Sequence, residues 1–171
     1  MINIKVKKLD PGVPPPLYAT KGSVGADLYL SLSSLVRTGN ISQEDFNDPD
    51  FINDIYNSRS KTLTIPPNRI MLLGTGISLE IPDGYEVQVR NRSSTALKGL
   101  ILLNGIGTID SDYRGEILLP VINLGASSIV LNNYTRIVQI VIAKTVKVEF
   151  EIDDRLSETD RGSGGFGSTG K

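Results

Sequence analysis

Residues 62–90, TLTIPPNRIMLLGTGISLEIPDGYEVQVR, carry the pattern that decides the fold. Short apolar or alternating runs are separated here by turn-forming residues. The strongest turn is at Pro82, Asp83 and Gly84, because proline presets φ and glycine permits a positive φ. Strands this short, joined by turns of this kind, predict a β-sandwich, a barrel or a jelly roll.

The same pattern continues on both sides of this stretch, at roughly 8–12-residue spacing. We predict strands at residues 2–9, 26–30, 62–65, 70–73, 77–81, 85–90, 100–103, 116–124, 129–131, 136–143 and 146–152. No run approaches the ~18–20 apolar residues that a membrane span needs. The first ten residues, MINIKVKKLD, alternate as a strand does and differ from a signal peptide. The chain is therefore predicted to be all-β, with no membrane partner.

Two segments interrupt the β pattern and define the predicted domain organisation. Residues 31–60 are predicted to be a short, partly helical insertion between strands. Ser42 is a candidate helix cap, and apolar residues follow at helical spacing, at Phe51, Ile52, Ile55 and Tyr56. The glycine-rich end of the chain favours mobility. We predict one domain at residues 1–156, containing the insertion, and a flexible C-terminal lid at residues 157–171.

The absence of cysteine and histidine excludes several classes of chemistry. Disulfides, thiolate metal sites, Ser-His-Asp hydrolysis and histidine-bound zinc are impossible in this chain. Acid–base catalysis must use Asp, Glu, Lys or Tyr, and a bound metal must be a hard cation held by oxygen. With no signal peptide predicted, we expect a cytoplasmic protein, in the host cytoplasm if the source is a virus, or a nuclear one if it is eukaryotic.

The formal net charge is −1, and it is unevenly distributed along the chain. Residues 31–60 carry five acidic and two basic residues, so the remaining sequence has 16 basic and 14 acidic residues, a net of +2. A nearly neutral body is a poor surface for nucleic acid, and we expect no nucleic-acid partner. An anionic ligand would have to be held by a few directed groups.

Three segments carry side chains suited to nucleotide chemistry. Residues 104–116 lie between two apolar strands, where a hairpin tip can expose backbone groups to the edge of a flat base and place Asp110 to polarise a water. Residues 90–96 combine guanidinium, hydroxyl and backbone N–H donors that can hold phosphate oxygens. Arg161 and Phe166 lie among glycines, as in a lid that closes over a ligand. Each segment alone is also typical of an ordinary turn, a solvated strand end or a disordered terminus.

Together and in order, these segments resemble the five motifs of the trimeric dUTPase family. The matching stretches are SVGADL at 23–28, RSSTA at 92–96, GTIDSDYRGE at 107–116, RIVQ at 136–139 and RGSGGFGSTG at 161–170. The resemblance covers residues 2 to 170 and is interrupted only by residues 31–60. It implies a distorted jelly roll, also called a β-clip, that forms a homotrimer with three active sites at subunit interfaces.

The resemblance also implies an activity and a catalytic base. The reaction is hydrolysis of dUTP to dUMP and pyrophosphate, which keeps uracil out of DNA and supplies dUMP for dTMP synthesis. Asp110 would activate water for attack on the α-phosphorus and hold the sugar 3′-hydroxyl. Tyr113 would pack against deoxyribose and exclude a 2′-hydroxyl. The backbone of the third motif, with a nearby amide, would bind uracil through Gly107, Thr108, Ile109 and Asn104.

The remaining implied roles concern the triphosphate. The phosphates would be held by Arg92, Ser93, Ser94 and Gln139. The cofactor would be Mg²⁺, with Asp27 helping to anchor it through a coordinated water. The tail would reach a neighbouring subunit's site, with Phe166 stacking on uracil, Arg161 and Ser168 meeting phosphates, and Gly165 and Gly167 allowing close backbone approach.

The chain departs from the family pattern at three places. The second motif usually has proline before its arginine and glycine after its serine, where this chain has Asn91 and Ser94. The fourth motif usually has Gly-Asp before its arginine, where this chain has Tyr134 and Thr135. These departures bear on the detailed geometry around the phosphates.

Two alternative functions are weighed against dUTP hydrolysis. A dCTP deaminase shares the fold and the Arg-Ser-Ser stretch, but it needs a glutamate base on the strand after the aspartate hairpin, where this chain has Pro120. Proline cannot transfer a proton. The second alternative is a dUTPase with an added regulatory role, in which the apolar and acidic residues of the 31–60 insertion bind a partner.

Overall fold

The computed structural model describes residues 2–34 and 55–165. A one-turn helix, α1 (Ser93–Ala96), follows a long strand that ends at Asn91. The strands are β1 (Lys5–Lys8), β2 (Leu17–Tyr18), β3 (Ala26–Tyr29), β4 (Tyr56–Asn57), β5 (Thr62–Ile65), β6 (Ile70–Gly74), β7 (Ile77–Glu80), β8 (Tyr85–Asn91), β9 (Leu100–Leu102), β10 (Gly107–Ile109), β11 (Leu118–Asn123), β12 (Ile129–Asn132) and β13 (Arg136–Lys144).

The strands form four antiparallel sheets. The largest has the order β10-β8-β13-β3-β2, and the others are β6-β11-β9, β12-β5-β4 and the pair β1-β7. Strands far apart in sequence are neighbours, as in β13, which lies between β8 and β3. A register shift between Arg136 and Val138 bends β13 beside the first motif. The all-β prediction is confirmed.

The core lies between these sheets and follows the alternation of the strands. In β5, Leu63 and Ile65 are buried while Thr62 and Thr64 are half-buried, and in β11 Leu119 and Val121 are buried in the same way. Side chains of successive strand residues point to opposite faces, so this period of two places one face against the core. Each fully buried aliphatic side chain contributes about 1.5–3 kcal/mol.

Two turns predicted from proline and glycine are present. The Tyr85 N–H donates to the Pro82 carbonyl over 3.3 Å, and Gly84 has a φ of 78°. At the other turn the Arg69 N–H donates to the Pro66 carbonyl over 3.3 Å, and Asn68 has a φ of 59°. Asparagine tolerates this left-handed conformation better than most residues, so the local sequence accounts for both turns.

The predicted strand at residues 146–152 is wrong. Regular pairing in β13 ends at Lys144, and one further backbone bond runs from the Thr145 N–H to the Gly84 carbonyl over 3.0 Å. Residues 146–152 form no strand with the described part of the chain. Four alternating apolar residues are between 62% and 98% exposed: Val146, Val148, Phe150 and Ile152. The alternation has the period of a strand, but a strand also needs a neighbouring edge to satisfy its backbone groups, and no such edge is available to it within the described part of the chain.

Other boundaries differ by less. The strand predicted at 116–124 begins at Leu118, because the Ile117 backbone instead bonds to Thr75 and Ile77. The two-residue strands β2 and β4 were not predicted, since two residues carry no periodic signal. In the insertion, residues 32–34 and Ile55 are helical and Tyr56 begins β4, while the predicted Ser42 cap and the pair Phe51 and Ile52 lie outside the described residues. No helix within residues 2–34 and 55–165 is long and apolar enough to cross a bilayer.

Candidate functional site

A groove of about 400 Å³ lies where β8 ends and α1 begins. It brings together the first, second and fourth predicted motifs, because β3 and β8 both pair with β13 in the central sheet. The lining includes the predicted phosphate and metal residues Asp27, Arg92, Ser93, Ser94 and Gln139. Five separately predicted side chains thus share one cavity wall.

Arg92 is held at this groove by a buried carboxylate. Its Nε donates to Oδ1 of Asp27 over 2.7 Å, and NH1 of Arg136 donates to Oδ2 of the same carboxylate over 3.1 Å. The Asp27 side chain is only 10% exposed, so an unpaired charge there would be costly. The two arginines neutralise it and leave one net positive charge at the groove, which suits an anionic ligand.

Gln139 and Gly25 form the opposite wall. The Gln139 amide donates through Nε2 to the Asn91 carbonyl over 3.0 Å, which fixes the side chain across the sheet. A Cβ on Gly25 would lie 2.2 Å from Oε1 of Gln139, far inside van der Waals contact. A side chain at position 25 would therefore push the Gln139 amide out of its present position in the groove.

The departures in the second motif have structural roles. The Asn91 side chain accepts a hydrogen bond from the Leu102 N–H over 2.9 Å, which joins the end of β8 to β9. Proline could not make this bond. Ser94 Oγ accepts from NH1 of Arg92 over 3.2 Å, while Asp27 accepts from Nε of the same arginine. The hydroxyl that replaces the usual glycine therefore helps Asp27 to orient the guanidinium.

Tyr134, in place of a glycine usual in the family, occupies a conformation that favours glycine. Its φ is 61°, and its hydroxyl donates to the Asp10 carboxylate at 3.1–3.2 Å. That carboxylate also accepts from Ser31, Ser33 and the Gly12 N–H at 2.7–3.0 Å. Burial alone would raise the pKa of Asp10, but these hydrogen bonds outweigh it and lower the pKa below 3.8. The polar network offsets the backbone strain of Tyr134.

The third motif lies at the edge of the central sheet. Residues 104–116 were predicted to form a hairpin between two strands, and the flanking strands β9 and β11 do pair antiparallel. Within this connection, β10 pairs with the edge of β8 in the central sheet. Gly107, Thr108 and Ile109 make an edge strand whose outer backbone groups face away from β8. The Asn104 amide lies over Gly107, 3.3 Å from where a Cβ would be. An edge of this kind can bind the polar rim of a base.

Asp110 and Tyr113 follow this edge in a tight turn. The Tyr113 N–H donates to the Asp110 carbonyl over 3.2 Å, and the Tyr113 hydroxyl donates to the Glu116 carbonyl over 2.9 Å. Asp110 is exposed and lines a cavity of about 730 Å³ with Asp83, Glu86 and other polar residues. Its carboxylate accepts no hydrogen bond from residues 2–34 or 55–165.

Asp110 and the phosphate groove lie at opposite ends of β8. Ile109 pairs with Val87, and Asp110 shares its cavity with Glu86. Arg92 is six residues beyond Glu86, which corresponds to about 20 Å along a strand. A carboxylate at that distance cannot act on a phosphate held at Arg92 of the same chain. The structure therefore brings together the phosphate residues but not the base and the phosphates.

The fifth motif is only partly described. Arg161 is exposed, and its Nε donates to the Gly164 carbonyl over 3.0 Å, which closes a local turn with Gly165 just after it. Phe166, Gly167 and Ser168 lie outside the described residues. The predicted tail contacts with uracil and phosphate therefore stay predictions.

Two residues with roles at this site were not singled out from the sequence. Arg136 shares the Asp27 carboxylate with Arg92, and Glu116 accepts two hydrogen bonds behind the Asp110 turn. The motif pattern contained both residues, but their partners are 109 and 82 positions away in sequence. Only the sheet topology shows these contacts.

The described residues provide no metal cage of their own. Within residues 2–34 and 55–165 there is no group of three Asp or Glu side chains that could hold a cation. Asp27 lines the phosphate groove, with each of its oxygens already accepting from an arginine. One carboxylate beside a phosphate groove fits Mg²⁺, which usually keeps several waters and binds through few carboxylates plus substrate phosphates.

Comparison with known proteins identifies the family. The family model described as dUTPase matches residues 50–170. A relative from Roseobacter denitrificans, deoxyuridine 5′-triphosphate nucleotidohydrolase, is 43% identical over 162 residues, covering 94% of this chain and 90% of its own length. This identity extends over nearly the whole chain, including the segments on both sides of the insertion.

Solved structures support the same fold. The dUTPase of Staphylococcus bacteriophage 80alpha with dUPNHPP has a TM-score of 0.77 at 20% identity, with both chains fully covered. A mutant dUTPase from phage phi11 of S. aureus, whose structure is said to reveal coordination of a structural Mg(II) ion, has a TM-score of 0.68 at 15% identity, covering 92% of this chain and 100% of its own. The predictions of a dUTPase-like all-β fold and of an enzyme of this kind are confirmed, and the chain belongs to the dUTPase family.

Proposed function

We propose that the protein is a dUTP diphosphatase that hydrolyses dUTP to dUMP and pyrophosphate, limiting uracil in DNA and supplying dUMP for dTMP synthesis. The observation that carries this proposal is the groove at the end of β8. There, Arg92 is oriented by Asp27 and Ser94 beside the hydroxyl of Ser93. Relatives in this family are named for this reaction, and we therefore assign the groove to the triphosphate of dUTP.

The triphosphate is bound mainly by directed donors. Arg92, Ser93 and Ser94 line an open groove, and Gln139, held by its hydrogen bond to the Asn91 carbonyl, lines it with them. Guanidinium and hydroxyl groups form short, charge-assisted hydrogen bonds to phosphate oxygens. Because these donors are already oriented without a ligand, little conformational entropy is lost when the phosphates bind.

Asp110 acts as the general base. Its carboxylate takes a proton from a water molecule as the water oxygen forms a bond to the α-phosphorus. The bond from that phosphorus to the oxygen bridging to the β-phosphate breaks, and pyrophosphate leaves with the electron pair. An exposed carboxylate that accepts no hydrogen bond from the described residues is free to accept one from water. The same carboxylate holds the sugar 3′-hydroxyl.

Substrate selection belongs to the edge strand and to Tyr113. The outer backbone of Gly107, Thr108 and Ile109, with the Asn104 amide, binds the polar edge of uracil. The Tyr113 ring packs against deoxyribose and leaves no space for a 2′-hydroxyl. A ribonucleotide would have to displace a ring that is hydrogen-bonded to the Glu116 carbonyl.

Mg²⁺ is the proposed cofactor, and Asp27 helps to hold it through a coordinated water. When bound, the ion would offset charge on the triphosphate and polarise its phosphorus–oxygen bonds. In the free protein Asp27 fixes Arg92 and Arg136. This role and the proposed role at Mg²⁺ both place the Asp27 carboxylate behind the phosphates.

The active sites are shared between subunits of a homotrimer. The distance of about 20 Å along β8 separates Asp110 from the phosphate groove, so a working site needs the base from one chain and the groove from another. The exposed apolar residues Val146, Val148 and Phe150 also call for a partner, because a monomer rarely exposes such a run. Assembly would cover them.

The domain organisation forms part of this proposal. Residues 1–156 make the body, and residues 157–171 form a lid that closes over a neighbouring site, with Phe166 on uracil and Arg161 and Ser168 on phosphates. Truncation after Thr159 should lower kcat/KM by about 100-fold, because the lid excludes water and adds phosphate contacts. The melting temperature should change little, since residues 160–165 are almost wholly exposed. A truncated enzyme with full activity would refute the lid.

The activity is tested with a pyrophosphate-release assay on dUTP, dCTP, dTTP and UTP in the presence of Mg²⁺. We expect turnover of dUTP with strong preference over the other three nucleotides. Ammonia is measured in parallel with dCTP, and its release would establish the deaminase alternative instead. Failure to cleave dUTP would refute the proposal.

The shared site is tested by subunit complementation. Asp110→Asn and Arg92→Ala variants are mixed in equal amounts, unfolded and refolded together. Activity is assayed at a dUTP concentration far below the raised Kd of Arg92→Ala, where each variant alone has little activity. If each site combines halves of two subunits, random assembly restores about a quarter of native activity, because one site in four receives both intact halves. Mixed trimers with no restored activity would place both residues in one subunit's site.

A further inference from the structure

Glu116 attaches the Asp110 turn to the body of the protein. One oxygen of its carboxylate, Oε1, accepts hydrogen bonds from the Ser34 hydroxyl and from the Gly76 N–H, both over 2.6 Å. Its backbone carbonyl accepts the Tyr113 hydroxyl over 2.9 Å. Glu116 is half-buried, so these bonds are partly shielded from water.

The surrounding chain is shaped to fit this carboxylate. A Cβ on Gly74 would lie 1.9 Å from Oγ of Ser34 and 2.7 Å from Oε1 of Glu116, so any larger residue at position 74 would break the contact. On the other side, a Cβ on Gly115 would lie 2.3 Å from the Tyr113 hydroxyl. Two glycines thus make room, one for the Glu116 side chain and one for the tyrosine ring.

The segment that binds the Glu116 carboxylate is the entry to the insertion, and it is itself held in place. Ser31 and Ser33 donate to the Asp10 carboxylate, while Ser34 donates to Glu116. The chain entering the insertion is therefore hydrogen-bonded, through Ser34 and Glu116, to the turn that carries Tyr113. The Tyr113 hydroxyl makes no other hydrogen bond within residues 2–34 and 55–165.

We propose that Glu116 is a positioning residue that sets the sugar selectivity of the active site by holding Tyr113 in place. This inference rests on the proposed function, in which the Tyr113 ring excludes a 2′-hydroxyl. Without the Glu116 anchor, the 113–116 turn can move away from β6 and β7, and the ring moves with it. A shift of the ring by even 1 Å is enough to change how tightly the sugar is bound.

The test is the ratio of kcat/KM for dUTP to that for UTP. In Glu116→Ala the ratio should fall by about tenfold, with a higher KM for dUTP and kcat within about twofold of native. Glu116→Gln keeps an oxygen acceptor for Ser34 and Gly76, and it should restore most of the selectivity. The matched control is Glu80→Ala, at an exposed glutamate that pairs with Lys5, and its ratio should equal the native one.

The ratio distinguishes positioning from a loss of folded enzyme. A purely structural effect lowers the rates for dUTP and UTP equally, so a parallel fall or an unchanged ratio would overturn the inference. If Glu116→Ala does not fold, Ser34→Ala removes one of the two hydrogen bonds and should lower the ratio by about threefold. The native enzyme is assayed first, because absence of dUTP cleavage there would refute the proposed function and not the role of Glu116.

Discussion

The two ends of β8 are built differently. At the Arg92 end, a buried carboxylate, two arginines and a glutamine are held by hydrogen bonds within one chain. At the Asp110 end, the carboxylate is exposed and lies at the edge of the sheet. One end is a preformed groove and the other is open to solvent. Under the proposed function, binding of phosphate belongs to the single chain, while catalysis belongs to the assembly.

The largest effect is expected at the open end. Asp110→Asn keeps the shape of the side chain but removes the base, so kcat should fall by about 10³-fold, within the range for loss of general-base catalysis. Affinity for a non-hydrolysable dUTP analogue, measured by calorimetry, should change little. Asp112→Asn, two residues further along the same turn, is the matched control and should keep most of the activity. Near-normal turnover of Asp110→Asn would remove the functional contrast between the two ends.

At the preformed end, the main effect is expected on binding. Arg92→Ala removes charge-assisted hydrogen bonds to phosphate and should raise the Kd of the same analogue by about 100-fold. Arg92→Lys should recover only part of the affinity, because lysine lacks the planar fork that Asp27 orients. Arg90→Ala, on the same strand, is the control and should bind normally. Equal Kd values for Arg92→Ala and Arg90→Ala would show that the groove does not bind phosphate.

The shape of the groove is tested by a smaller change. Gly25→Ala places a methyl group against Oε1 of Gln139 and should displace that amide from the groove, weakening analogue binding by about tenfold. Gly22→Ala lies three residues earlier, where an added Cβ meets nothing within 4 Å. Its affinity should be unchanged. Equal affinities in both variants would show that the groove does not depend on Gln139.

The effect expected to change activity least is on stability, behind the preformed end. Asp10→Asn disrupts the network that includes Tyr134 and should lower the free energy of unfolding by about 2 kcal/mol at pH 7. Since the native pKa of Asp10 lies below 3.8, its contribution is present above that pH and is lost as the pH falls through the native pKa. The two proteins should therefore converge in acid.

Urea unfolding at several pH values measures this difference. Asp83→Asn is the control, because Asp83 is exposed and its ion pair with Lys147 is long, at 3.5 Å. Exposed pairs contribute less than about 1 kcal/mol. A difference between native and Asp10→Asn protein that persists unchanged at low pH would show that the Asp10 charge does not contribute.

Several elements could be predicted from local sequence. The turns at Pro82 and Asn68 follow from residues that favour particular φ values, and strands such as β5 follow from the alternation of buried and exposed positions. The strand predicted at 146–152 shows the limit of this reasoning. Its alternation is as clear as that of β5, but the pairing of a strand depends on a neighbouring edge, which local alternation does not specify.

The site shows the same division. The sequence by itself determined the family, the absence of histidine and cysteine chemistry, and the residue types available to bind phosphate and activate water. Only the tertiary structure decided that Asp27 orients Arg92, that Glu116 anchors the turn of Tyr113, and that Asp110 lies far from the phosphate groove. The physical reason is that residue types and spacing depend on local chemistry, whereas these contacts depend on which distant strands become neighbours in the sheets.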